Sequence, residues 1–185
     1  SLKESPMPLP LPLETLWSEL QSVRADILKE VEGCSQAQAD WRPGQADWSA
    51  GEIIHHLLLA EVGTGKLTSK LLKDAGSGVA PYPEGLSALR PLPSLPAGPT
   101  EAPPATRPER EHPIGQLLTD FKAARERSRQ SIERMGAVDF RRLTWTHAAF
   151  GEMDLSQWWQ LQAWHDADHL RQLRTLKATP GFPAR

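Results

Sequence analysis

The chain has 185 residues, 39% of them hydrophobic and 24% charged, which suits one folded domain with a sizeable core. Lys and Arg total 21 against 23 Asp and Glu, a formal net charge of -2 without blocks of either sign. This balance argues against nucleic acid or an anionic membrane surface as the main partner. Without an apolar run of about 18 residues or a signal-peptide pattern, we expect a cytoplasmic protein.

Four segments show the periodicity of amphipathic helices, and none shows the sustained alternation of half-buried strands. The predicted class is therefore all-α. After a flexible tail over residues 1–12, the helices are predicted at about 13–32, 49–73, 114–135 and 155–177. The second helix has the clearest start, because Ser49 and Glu52 have the spacing of a capping box.

A proline-rich connection, residues 78–113, separates the second and third predicted helices and contains ten of the 17 prolines. Such a segment cannot be helical, but in extended form it can span a helical bundle. It would let the second and third helices run in the same direction, as a long crossover does in some four-helix bundles. The segment could be a plain linker, or it could cover a pocket.

Two histidines on the predicted fourth helix, His165 and His169, are four residues apart. Side chains at this spacing point from the same helix face, so both imidazoles can bind one cation. No His, Cys, Asp or Glu follows His169, and Cys34 is the only cysteine, so a third ligand must come from upstream. His56 on the second helix is the best candidate. His55 would replace it if the register slips, since consecutive residues point about 100° apart.

The histidine pair belongs to a stripe that is predicted to face the core. At spacings of 3, 4, 4, 3 and 4, this stripe contains Trp158, Leu161, His165, His169, Gln172 and Leu176. Three neutral imidazoles from two helices would suit zinc or nickel and would leave at least one coordination position open.

Several residues near the predicted site have two interpretations. Glu52 is either the carboxylate of the capping box or an outer acceptor for the site. Trp158 could line the pocket, and Gln172 could orient a ligand or substrate, or simply satisfy its own hydrogen bonds. The histidines themselves could be packing residues without a metal. A zinc-protease motif is excluded, because Asp166 stands where that motif has Glu and no downstream third ligand exists.

The segment from Trp48 to Leu57, Trp-Ser-Ala-Gly-Glu-Ile-Ile-His-His-Leu, resembles the second-helix signature of the DinB/YfiT-like family. Trp164 and His165, with His169 and Gln172 after them, resemble the last-helix signature of the same family. The order of helices, long connection and histidines matches over nearly the whole chain. The resemblance implies a four-helix bundle that binds a divalent metal, often zinc or nickel.

By the same resemblance the metal ligands are His56, His165 and His169, where His56 is chosen because it directly precedes the aliphatic Leu57. Some similar proteins use a low-molecular-weight thiol, such as bacillithiol or mycothiol, in S-transferase or isomerase reactions, and others are uncharacterised. Homologues are often dimers, so the resemblance implies a homodimer. We therefore predict a metal-dependent transferase acting on a small molecule and a thiol, with a hydrolase as the second enzymatic interpretation. The alternatives are a non-catalytic metal-binding protein of stress response or regulation, and a helical interaction module without a metal.

Overall fold

Four long helices form the body of the protein. The structure is a computed structural model that describes residues 6–94 and 101–185. Its helices and strands are α1 (Leu11–Val31), α2 (Gln36–Asp40), α3 (Ala50–Ala75), α4 (Ile114–Met135), β1 (Thr144–His147), β2 (Gly151–Asp154) and α5 (Leu155–Ala178). The predicted four-helix fold is confirmed, with α1, α3, α4 and α5 in the predicted places. Within the described residues, none of the helices is both long and apolar enough to cross a membrane.

Helices α3 and α4 run in the same direction. Glu61 of α3 accepts a hydrogen bond from Ser128 of α4, and further along both helices Arg134 donates to Ser69. Contacts that advance together along two helices require a parallel pair, so the predicted crossover is confirmed. Residues 95–100 of the predicted proline-rich connection lie outside the described residues.

Local capping explains where the helices that carry the site begin. The Ser49 hydroxyl accepts from the Glu52 amide at 3.1 Å, and the Glu52 carboxylate accepts from the Ser49 amide at 3.3 Å. The predicted capping box of α3 is therefore confirmed. Asp154 and Gln157 form the same reciprocal arrangement at the start of α5. Gly76 ends α3 with a φ of 57°, a conformation that strains other residues.

Two short elements were not predicted, the helix α2 and the hairpin of β1 and β2, whose register pairs Thr144 with Asp154 and His147 with Gly151. Four or five residues are too few for a periodic pattern to be recognised. The predicted tail over residues 1–12 is wrong at its end, because α1 already begins at Leu11. Residues 1–5 of that tail lie outside the described residues.

A buried charge network joins the four long helices, each of which contributes one member. Arg24 of α1, Glu61 of α3, Arg125 of α4 and Asp166 of α5 are respectively 4, 1, 5 and 0% exposed. Arg125 binds Glu61 at 2.7 Å and Asp166 at 3.0 Å, and Arg24 also binds Glu61. The two cations and two anions balance, as buried charges must if they are to be tolerated.

This network explains why α5 is rotated relative to the prediction. The buried residues of α5 include Trp159, Gln162, Asp166, Leu170 and Leu173, which are the predicted core stripe up to Gln172 shifted by one residue. A shift of one residue turns a helix by about 100°. Most of the predicted stripe is instead half-buried or exposed, so the histidines lie beside the core rather than in it.

Candidate metal centre

The structure brings the three predicted ligands, His56, His165 and His169, together between α3 and α5. These helices are antiparallel, since Trp159 bonds to Thr68 while His165 meets His56 nearer the start of α3. The Nε2 atom of His165 lies 2.8 Å from Nε2 of His56 and 3.0 Å from Nε2 of His169. One ring nitrogen from each residue lies within 4.8 Å of the other two.

Hydrogen bonds at the opposite ring nitrogens orient two of these imidazoles. His56 Nδ1 donates to the carbonyl oxygen of Thr106 at 2.6 Å, and His169 Nδ1 donates to Oε1 of Gln172 at 2.7 Å. Carbonyl oxygens only accept, so the ring protons are on Nδ1. The lone pairs of both Nε2 atoms therefore face the centre of the cluster, which is how histidine ligands are usually prepared for a metal.

The surroundings also keep the three imidazoles neutral. Burial lowers the pKa of His56 to about 4, against the opposing effect of its bond to Thr106. Burial lowers the pKa of His165 to about 2, and repulsion from His169 and His56 when they are protonated acts in the same direction. Burial likewise lowers the pKa of His169, although Gln172 opposes the shift. At neutral pH no proton has to leave before a metal can bind.

Two of the three nitrogen separations in the cluster, both of them at His165, are close to those of a tetrahedral metal site. Metal–nitrogen bonds of about 2.0–2.1 Å imply ligand nitrogens about 3.3 Å apart. The observed separations of 2.8 and 3.0 Å differ from this by only a few tenths of an ångström. Trp48 forms one wall, with its ring centroid 4.8 Å from that of His56 and 6.0 Å from that of His169.

The choice between His55 and His56, which the helical pattern alone left open, is made by the packing of α3. His55 points away from the cluster, and its Nδ1 accepts from the backbone amide of Glu109 at 2.9 Å. Its ring lies 5.1 Å from that of His112. His56 is therefore the histidine that faces α5.

The other predicted site residues have different roles. Glu52 serves the capping box and lies 3.6 Å from Arg42, with no hydrogen bond to the histidines in the described part of the chain. Trp158 packs against the hairpin, where its Nε1 donates to the Trp145 carbonyl and its ring lies 5.2 Å from that of His147. Of these three residues, only Gln172 forms a described hydrogen bond to a clustered histidine.

Sequence reasoning missed three contributors to the site. Trp48 belongs to the Trp-Ser motif, but the motif does not show that its ring packs against His56 and His169. Asp166 directly follows His165, and its burial sets the rotation of α5. The Thr106 contact could not be found, because a backbone carbonyl leaves no signal in the residue type.

Gln172 provides a test of ligand orientation. The Gln172→Ala variant should bind zinc about 10-fold more weakly. Losing the hydrogen-bond partner of a metal ligand usually lowers metal affinity by about 10–100-fold, and we expect the smaller effect because Gln172 is exposed. Zinc affinity can be measured by competition with a chromophoric chelator. The neighbouring Arg171→Ala variant removes an exposed side chain that binds Asp168 and should keep the wild-type affinity. Equal affinities in the two variants would contradict the orienting role.

Two known proteins are similar to this chain over most of its length. The chain is 24% identical over 162 residues to the uncharacterized protein YuaE of Bacillus subtilis (strain 168), covering 86% of this chain and 96% of that protein. It is 23% identical over 163 residues to a Geobacillus kaustophilus (strain HTA426) protein named "Putative metal-dependent hydrolase GK0616", covering 88% of this chain and 83% of that protein.

Solved structures and family profiles complete the comparison. The crystal structure of TT2238, a four-helix bundle protein, superposes with a TM-score of 0.61 at 18% identity, covering 88% of this chain and 98% of that one. This likeness shows the fold. The profile of the DinB superfamily matches residues 19–173, which include all three clustered histidines. The resemblance found in the sequence is thus confirmed, and the chain belongs to the DinB superfamily.

Proposed function

We propose that the protein is a divalent-metal-dependent enzyme that transfers a low-molecular-weight thiol to a small electrophilic substrate. The observation that carries the proposal is the convergence of three neutral histidine nitrogens, His56, His165 and His169, at one point between α3 and α5. The proposed metal is zinc or nickel, since both prefer nitrogen ligands. Three protein ligands leave a coordination position for a reactant, whereas a structural zinc site is usually closed by four.

The surroundings of the cluster favour a thiol over water as the nucleophile. A divalent metal held by these histidines would deprotonate a coordinating thiol outright, with the proton passing to solvent, whereas metal-bound water, with a pKa of about 7, would be only partly ionised at neutral pH. The nearby carboxylates are already engaged: Asp166 with Arg125 and Gln162, Asp168 with Arg171, and Glu52 with its own helix start. None of these three is placed to accept a proton from water. A metal-bound thiol could release its proton to solvent instead.

The chain's own residues would orient and shield the reactants. The bonds from His56 to Thr106 and from His169 to Gln172 hold the two rings in place, so that the metal is presented in one geometry. Trp48 supplies an apolar wall against two of the three rings. A metal-dependent hydrolase is the second candidate, and the printed name of the Geobacillus kaustophilus relative supports it.

Cobalt substitution tests the proposal directly. The visible bands of the cobalt protein should shift when a small thiol such as bacillithiol or mycothiol is added, because the thiol enters the open position. Thiol consumption with epoxide or alkyl-halide electrophiles should then depend on the metal. The His165→Ala variant serves as the control and should show neither effect. Metal-dependent ester or amide hydrolysis, with no spectral response to thiols, would support the hydrolase instead.

A further inference from the structure

The last part of the proline-rich connection lies against α3 beside the metal centre. We call residues 101–113 the strap. A short 3-10 turn at Pro104–Thr106 lies against α3, and the strap then continues over the side chains of His55 and His56. It is therefore a packed element at the site and not only a connection between helices.

Two consecutive histidines bind the strap backbone with opposite polarity. His56 Nδ1 donates to the Thr106 carbonyl at 2.6 Å, whereas His55 Nδ1 accepts from the Glu109 amide at 2.9 Å. The first bond requires the proton of His56 on Nδ1, and the second requires the proton of neutral His55 on Nε2. Docking of the strap therefore selects the His56 tautomer whose Nε2 lone pair faces His165.

Further contacts hold the strap at its C-terminal end. The Gln36 side-chain amide donates to the His112 carbonyl at 3.1 Å, and its oxygen accepts from the Ile114 amide at 2.9 Å. Arg110 reaches the Gln45 carbonyl at 3.4 Å. Prolines at several strap positions restrict the undocked chain, so that less conformational entropy is lost on docking.

We infer that the strap is a positioning element of the metal site, and that strap docking and metal binding stabilise each other. The inference rests on the proposed metal, and it follows from the shared residue His56, which contacts the strap through Nδ1 and faces the other two histidines through Nε2. If docking raises metal affinity by some factor, metal binding must favour docking by the same factor. Metal binding should therefore make the strap more ordered.

The Glu109→Pro variant tests this without changing any of the three clustered histidines. Proline has no amide hydrogen, so the bond to His55 is lost. The matched Glu109→Ala variant removes the same carboxylate but keeps the amide. We expect Glu109→Pro to bind zinc about 10-fold more weakly than Glu109→Ala. A loss of this size is usual when a hydrogen-bond partner of a metal ligand is disturbed or when two coupled binding events are separated. His55→Ala, which removes the acceptor of the same bond, should have the same effect.

Limited proteolysis provides the second measurement. Zinc should slow tryptic cleavage after the exposed Arg110 by about 10-fold in the wild type and in Glu109→Ala, and by clearly less in Glu109→Pro. Circular dichroism of the metal-free variants checks that the bundle is intact. Equal zinc affinities in all variants, with cleavage unaffected by zinc, would overturn the coupling while leaving the metal site standing. Failure of the wild type to bind zinc would overturn both the coupling and the proposed function.

Discussion

The Glu61→Gln variant is expected to lose about 3–5 kcal/mol of unfolding free energy, the usual cost of breaking a buried ion pair by removing one partner. Glu61 accepts from Arg24, Arg125 and Ser128 and is 1% exposed. Glutamine keeps the shape of the side chain but not its charge, so Arg24 and Arg125 would share Asp166 as their only anion within the network. Urea denaturation at pH 7 measures the loss.

The same substitution at an exposed position of α4 provides the control. Glu126→Gln should change stability by less than about 0.5 kcal/mol, as ordinary surface substitutions do. If both variants were equally stable, the network would not contribute to the fold.

The pH dependence of the Glu61→Gln effect has a definite sign. Burial raises the pKa of Glu61, but Arg24 and Arg125 more than compensate, and the pKa is lowered from its usual 4.5. The carboxylate therefore stabilises the fold fully above about pH 4.5, and this contribution is lost as the pH falls through the folded-state pKa. The difference between wild type and variant should shrink in acid.

His165→Ala is expected to abolish stoichiometric zinc binding, with at least about a 100-fold loss of affinity. Removing the hydrogen-bond partner of a ligand already lowers metal affinity by about 10–100-fold, and removing the ligand itself should lower it further. His165 is the residue whose Nε2 makes both short contacts of the cluster, at 2.8 and 3.0 Å. Untagged wild-type protein should contain about one metal per chain by elemental analysis. Circular dichroism should show that the variant remains helical.

His147→Ala is the matched control for the loss of zinc. His147 packs beside Trp158 and is not a member of the cluster, so this variant should keep its zinc. Because the pKa values of His56 and His165 lie at about 4 and about 2, wild-type affinity should differ little between pH 7.5 and 6.0. A steep loss over that interval would show that protons compete for exposed imidazoles, contrary to the geometry.

The helices could be predicted because the interactions that define them are local. Ser49 and Glu52 are three residues apart, and their capping box depends on no other part of the chain. Helix α4 was predicted with the observed bounds from its apolar periodicity. The hairpin of β1 and β2 could not be predicted in this way, because four-residue strands are shorter than any reliable pattern.

The metal centre was only partly predictable. His165 and His169 share a helix face by their spacing, and this is a property of the sequence itself. The separation of His56 from His55 followed first from the family resemblance, and the packing of α3 against α5 then placed His56 at Nε2 of His165. Gln172 was a candidate from the sequence, but its bond to His169 needed the folded geometry.

The four long helices, the crossover between α3 and α4, and the candidacy of three histidines follow from the sequence. The rotation of α5 and the contacts beside the site depend on tertiary packing. The rotation depends on the burial of Asp166 against Arg125, residues 41 positions apart that a helical pattern treats as surface charges. The strap depends on backbone groups, including the Thr106 carbonyl 50 residues from His56. Every residue carries such a carbonyl, so only the folded chain selects which one is used.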